Sequence, residues 1–168
     1  YRALRDAPAV TTDGTEIAYE RHGEGPLLVL VHGGAGTRHS WAHLRPHLTD
    51  DYTVVLPDRR GRGASGDATD YSLAREAADV ATLVDELDGE PTLFGHSFGG
   101  LVSLEAAPEV ELENLLLYEP AILPPAYRDD ADLADRMQAR LDAGDRRGAM
   151  GLFFEEAGGV DDVEALPI

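Results

Sequence analysis

The stretch Thr92-Leu93-Phe94-Gly95-His96-Ser97-Phe98-Gly99-Gly100 sets a short apolar strand, Thr92 to Phe94, directly before a serine flanked by glycines. An apolar helical segment, Leu101 to Ala107, follows and is terminated by Pro108. A serine placed this way at a strand-to-helix turn is a nucleophile elbow. The turn forces Ser97 into an unfavourable backbone conformation, Gly95 and Gly99 leave room for it, and the helix aims its amino end at the reacting centre. Gly100 then lets the helix pack closely. Ser97 is the candidate nucleophile.

Outward from this turn, short runs rich in valine and leucine alternate with longer amphipathic stretches. Thr15 to Glu20, Leu27 to Val31, Thr53 to Leu56 and Leu115 to Tyr118 read as further strands. The alternation predicts an α/β fold, a mostly parallel sheet with helices on both faces. Polar or glycine-rich residues follow each strand at its carboxyl end, the edge where open parallel sheets place ligands. Ser72 is an N-cap for a helix carrying Leu73, Ala77, Val80, Val84 and Leu87, with Gly89 to end it. Ser40 caps a shorter predicted helix with Trp41, Leu44 and Leu48, which Pro46 makes less regular. Past Pro120 the rhythm changes: Pro124 and Pro125 break it. Leu133, Met137 and Leu141 mark a helix ending at Gly144, and a second helical stretch runs through Met150, Phe153 and Phe154. The predicted organisation is a core over residues 1–119, with at most six strands, and the beginning of a helical cap or lid over 120–168 that lies across the strand ends.

A second glycine-rich loop, His32-Gly33-Gly34-Ala35-Gly36, follows the strand Leu27 to Val31. Its glycines let backbone amides approach a substrate oxygen, so the loop looks like half of an oxyanion hole. The Gly34 amide and the Phe98 amide are the candidate donors to a tetrahedral intermediate, and losing one such donor typically raises the barrier by about 3 kcal/mol. A phosphate cradle would need a lysine and a different glycine spacing, and neither is present.

Composition narrows the chemistry further. The chain has 168 residues, 14 basic, all arginine, and 32 acidic, a net charge of -18. With 21 acids and 9 arginines through Glu119 and 11 and 5 beyond it, the charge is spread and forms no tail. Arg59, Arg60 and Arg62 are the one basic cluster and lie in a tight turn, so nucleic acid is excluded as a partner. A dispersed acidic excess without lysine suits a protein kept soluble in concentrated salt, and a halophilic source is expected. No apolar run reaches the roughly 18 residues of a membrane span, and no apolar stretch follows the early arginines, so a soluble, cytoplasmic setting is expected. Without cysteine there is no disulfide, thiolate metal site or cysteine nucleophile. No metal site and no cofactor are expected.

Taken together, His32-Gly33-Gly34, Trp41, Asp58-Arg59-Arg60-Gly61-Arg62-Gly63-Ala64-Ser65 and the elbow at Ser97 resemble the amino-terminal half of the α/β-hydrolase fold superfamily, over about Thr15 to Pro120. A serine at the elbow is similar to the esterases, lactonases, carbon–carbon bond hydrolases, acyltransferases and cofactor-free haloperoxidases of that superfamily. The resemblance implies acyl transfer through a serine ester on a small ester-like substrate, by an esterase-like or lactonase-like hydrolase. It also implies structural roles for Asp58 and the neighbouring arginines, for His32 bracing the oxyanion loop, and for His96 packing beneath the turn, with Gly33, Gly95 and Gly99 shaping the site.

The same resemblance places a catalytic acid most often after the seventh strand and a histidine after the eighth. By that order a base must follow Ser97, yet the last histidine is His96. His39, His43 and His47 are spaced by four along the predicted Ser40 helix and read as surface histidines, and His22 has no motif around it. Glu119 ends the last strand at the catalytic edge; a structural reading leads for it, with triad acid second. The isolated chain is therefore expected to be inactive, its base lost with a missing carboxyl-terminal half. The alternative is a non-catalytic binding or scaffold protein on a hydrolase fold. In either case the Leu115 to Tyr118 strand is a bare sheet edge, to be covered by a second copy or by the missing half.

Overall fold

A computed structural model describes residues 9–122 and 132–156 of the chain. The expected break at Pro124 and Pro125 lies outside the described residues, as does everything after residue 156. The chain divides into two compact units, Tyr1–Ile122 and Leu123–Ile168.

The first unit is built on six strands: β1 Ala9–Thr12, β2 Thr15–His22, β3 Leu27–Val31, β4 Thr53–Pro57, β5 Thr92–His96 and β6 Asn114–Tyr118. They form one sheet in the order β1-β2-β4-β3-β5-β6. The pairs β4–β3, β3–β5 and β5–β6 are parallel, while β1–β2 and β2–β4 are antiparallel. Five of the strands match the expected ones to within a few residues. The sixth, β1, was not expected, although Asp13-Gly14 between two β-prone runs is a two-residue hairpin signal. Both turn residues have positive φ, 44° and 88°, as that turn requires.

Strand alternation sorts the core into two layers. Leu27, Val29 and Val31 of β3, Val55 of β4 and Leu93 of β5 face the helices α1 (Leu73–Asp85) and α2 (Phe98–Ala106). Leu28, Leu30, Val54, Leu56 and Phe94 face the other way, against Trp41. All five residues of β3 and of β4 are buried, as strands covered on both faces must be. Helix α1 is capped by Ser72, whose hydroxyl accepts from the Arg75 N–H at 3.2 Å, and buries Ala77, Val80, Leu83 and Val84. The helix expected after Ser40 is instead a pair of 3₁₀ turns, Arg38–Trp41 and Arg45–His47. Thr37 caps the first and Pro46 lies in the second. Proline has no N–H to continue an α-helical ladder, so residues spaced by four do not share a face, and His39, His43 and His47 point into solvent separately.

In the second unit, α3 Asp132–Asp142 and α4 Arg146–Glu156 form a helical hairpin, the two helices expected there. Gly144, at φ 77°, turns the chain, and Asp145 caps α4 by accepting the Gly148 N–H at 2.8 Å.

Candidate active site

Ser97 stands between β5 and α2 with φ 53° and ψ -123°. Such a conformation costs about 1–3 kcal/mol and persists only where its surroundings fix it. Here they do so through the backbone. The Ser97 N–H donates to the Tyr118 carbonyl at 3.0 Å, and the Ser97 carbonyl accepts from Gly100, Leu101 and Ala121. Glycine is required on both sides: a β-carbon at Gly95 would sit 2.6 Å from Gly100 Cα and the Gly99 carbonyl oxygen. One at Gly99 would sit 2.4 Å from the carbonyl oxygens of Val31 and His32. The amino end of α2 thus rests directly on the ends of β3 and β5. The Ser97 hydroxyl caps no N–H of that helix.

The loop after β3 lies alongside. A β-carbon at Gly33 would be 3.3 Å from Ser97 Cβ, and one at Gly34 3.8 Å from Phe98 Cβ. Among the described residues, neither the Gly34 N–H nor the Phe98 N–H has a hydrogen-bond acceptor. Two orphan donors therefore flank the serine.

His32 anchors this loop and does no titration near neutrality. Its Nε2 accepts the Arg59 N–H at 3.1 Å, which leaves the proton on Nδ1 to be donated to the Gly33 carbonyl at 2.9 Å. Burial pushes the imidazole down to about 4, since a charged ring there would be stripped of water. Asp58 is likewise occupied: Oδ1 accepts from the Arg38 N–H and Oδ2 from the Ala64 N–H, each at 2.8 Å. The Arg38 guanidinium lies 3.0 Å from Glu20 and from Asp58, an ion pair held by charge without hydrogen-bond alignment. His32 and Asp58 are thus both held in hydrogen bonds to the loops that follow β3 and β4.

His96 is half-buried, edge-on to Trp41 and tilted against Tyr118 at 5.5 Å between ring centres. Glu119 is exposed and has φ 46°, in the segment between Tyr118 and Ala121, which both hydrogen-bond the Ser97 backbone. His22 pairs with Glu20 at 3.0 Å. No imidazole is hydrogen-bonded to Ser97 among the described residues, and no group of three or more side chains there could hold a metal.

Sequence reading passed over one partnership. Arg59 and Arg60 each make a two-pronged ion pair with a carboxylate buried on α1, Glu76 and Asp79, at 2.6 and 2.7 Å in both cases. The signal was available: Glu76 and Asp79 fall within the apolar stripe of α1, where a carboxylate has no place without a buried cation.

A family model described as the alpha/beta hydrolase family matches residues 28–166, most of the chain. This chain is an α/β-hydrolase. Among its curated relatives within and around that family, the hydrolase YraK of Bacillus subtilis, itself uncharacterized, is 30% identical over 135 residues, covering 76% of this chain and 49% of YraK. Pyrrolizixenacetamide deacetylase of Xenorhabdus hominickii is 33% identical, covering 79% and 49%. Among solved structures, an α/β-hydrolase from Sphaerobacter thermophilus superposes with a TM-score of 0.78 at 39% identity, covering 91% of this α/β-hydrolase and 61% of that one. The chain spans about half the length of the curated relatives it matches. No helix among the described residues is long and apolar enough to cross a membrane.

Proposed function

We propose that this α/β-hydrolase performs acyl transfer on a small ester-like substrate, with Ser97 as nucleophile and the Gly34 and Phe98 amides as the oxyanion hole. The observation that carries this reading is the pair of unpartnered N–H groups beside a strained serine whose hydroxyl caps nothing. In the reaction, Ser97 Oγ forms a bond to the substrate carbonyl carbon while its proton passes to a base. The carbonyl oxygen, now negative, takes both amides. The bond to the leaving group then breaks, the base returns the proton to it, and water releases the acyl group from Ser97 by the same steps. The chemistry calls for no cofactor. A deacetylase among the relatives supports acyl transfer as the class.

With His32 locked and no imidazole hydrogen-bonded to Ser97 among the described residues, this reading takes the base from further polypeptide or from a second chain. The edge of β6, with Leu116 49% and Tyr118 56% exposed, is where that polypeptide or a second copy of the chain pairs. Glu119, which follows β6, is a candidate acid second to a structural role. The dispersed acidic charge, with arginine the sole basic residue, supports a halophilic, cytoplasmic setting. That no imidazole is hydrogen-bonded to Ser97 among the described residues also supports a second reading, a hydrolase fold retained for binding alone.

Intact mass after treatment with a fluorophosphonate in concentrated salt tests whether a base reaches Ser97. Acyl transfer with a base in reach predicts one adduct that Ser97→Ala abolishes; an adduct that survives Ser97→Ala overturns the assignment of the nucleophile. A folded chain that takes no label has an incomplete triad, as a fragment of the enzyme or a binding protein would. Light scattering of the unsubstituted chain and of Leu116→Lys tests the edge, since pairing there predicts self-association that the charge prevents.

A further inference from the structure

Arg59 stands between the two halves of the hole. The Gly33 carbonyl and the Gly34 N–H are opposite ends of one planar trans peptide, so fixing the oxygen fixes the direction of the N–H. That oxygen accepts three donors: Arg59 Nη1 at 2.9 Å, His32 Nδ1 at 2.9 Å and the Gly36 N–H at 3.2 Å. The first is a buried cation. The second is set by the backbone N–H of residue 59, which holds His32 Nε2 and keeps the proton on Nδ1 whatever side chain stands there. On its other side, the Arg59 guanidinium carbon lies 4.6 Å from the centre of the Phe98 ring, the residue that supplies the second amide. Glu76 grips the same guanidinium through both oxygens and is itself held by the Tyr71 hydroxyl at 2.7 Å.

We propose that Arg59 is a positioning residue for the oxyanion hole, aiming and polarising the Gly34 N–H through the Gly33 carbonyl while bracing Phe98. A charge-assisted hydrogen bond to a carbonyl draws electrons toward the oxygen and leaves the peptide N–H a stronger donor. The proposal rests on the serine-hydrolase reading above. Arg60 provides the internal comparison: it binds α1 through Asp79 with the same two distances, and it also reaches Asp13 at the β1–β2 turn. A mere staple between the turn and α1 would need nothing on Gly33.

The test uses the full chain labelled with ¹⁵N and ¹³C glycine. Arg59→Met with Glu76→Met removes the pair together, so no buried charge is stranded; Arg60→Met with Asp79→Leu is the matched control. The first pair of changes is expected to move the Gly33 carbonyl and Gly34 amide resonances and to slow phosphonylation of Ser97 roughly ten- to a hundredfold. The second is expected to leave both readouts in place. Arg59→Lys keeps a cation for Glu76 but loses the fork, so the Gly34 resonance moves with a smaller loss of rate; it serves if the double variant does not fold. An unmoved Gly34 resonance, or equal changes in both double variants, overturns the proposal. Failure of the unsubstituted chain to label means that no base reaches Ser97, and the resonances then decide the role of Arg59.

Discussion

Arginine–carboxylate pairs tie together both the sheet unit and the α3–α4 hairpin, but the two sets sit in different dielectrics. Arg59–Glu76 and Arg60–Asp79 are at most 4% exposed and doubly hydrogen-bonded. Arg136–Glu156 and Arg140–Asp145 are 41–49% exposed. Buried pairs are costly to assemble and costlier to break, because removing one partner strands a charge away from water. Exposed pairs contribute little and are screened by salt. The same side chains thus fix geometry in one unit and decorate a surface in the other, and only the first kind reaches the candidate active site.

Breaking a buried pair gives the largest expected effect. Glu76→Leu strands the Arg59 guanidinium and should cost about 3–5 kcal/mol in urea unfolding, whereas Arg59→Met with Glu76→Met should recover most of the loss. A single substitution no worse than the double would erase the distinction. His32 gives the next effect, through pH. Its folded-state value is lowered from 6.5 to about 4, so between those values the unfolded chain binds a proton that the folded chain refuses. Stability should fall as pH drops through that window, by about 3 kcal/mol in total, with nothing lost above it. Comparing urea midpoints of the unsubstituted chain and His32→Gln across the window isolates this slope, which the variant should lack. The smallest effect belongs to the hairpin: Arg136→Ala should leave the unfolding midpoint unchanged in molar salt and shift it only slightly at low ionic strength. A large, salt-resistant shift would place that pair with the buried ones.

These differences follow how far each feature reads along the chain. The elbow, the glycine loop, α1 with its Ser72 cap and the two helices of the hairpin were legible because their signals are local: periodicity, caps and glycines within a few residues. Structural roles for Asp58 and His32 were suggested only through resemblance, and the partners these residues have in the fold follow from tertiary placement. Arg59 and Glu76 are 17 residues apart, and no local rule pairs them, although two acids within an apolar stripe pointed to buried cations. β1 was missed despite its Asp-Gly turn because its four residues are too short to show a period. The 38–47 segment was misread because its apolar spacing fits a helix while Pro46 and the close turns favour 3₁₀ geometry.

The positive φ of Ser97 makes one position answer to two masters. Glycine there would keep the turn and release the strain of about 1–3 kcal/mol, less the extra chain entropy that glycine gives up on folding. In the proposed mechanism, this relaxing change is also the change that removes the nucleophile. A lineage of this chain freed from chemistry would gain stability by drifting at residue 97, and the serine standing there is a cost borne in the currency of foldedness for as long as its hydroxyl is in use.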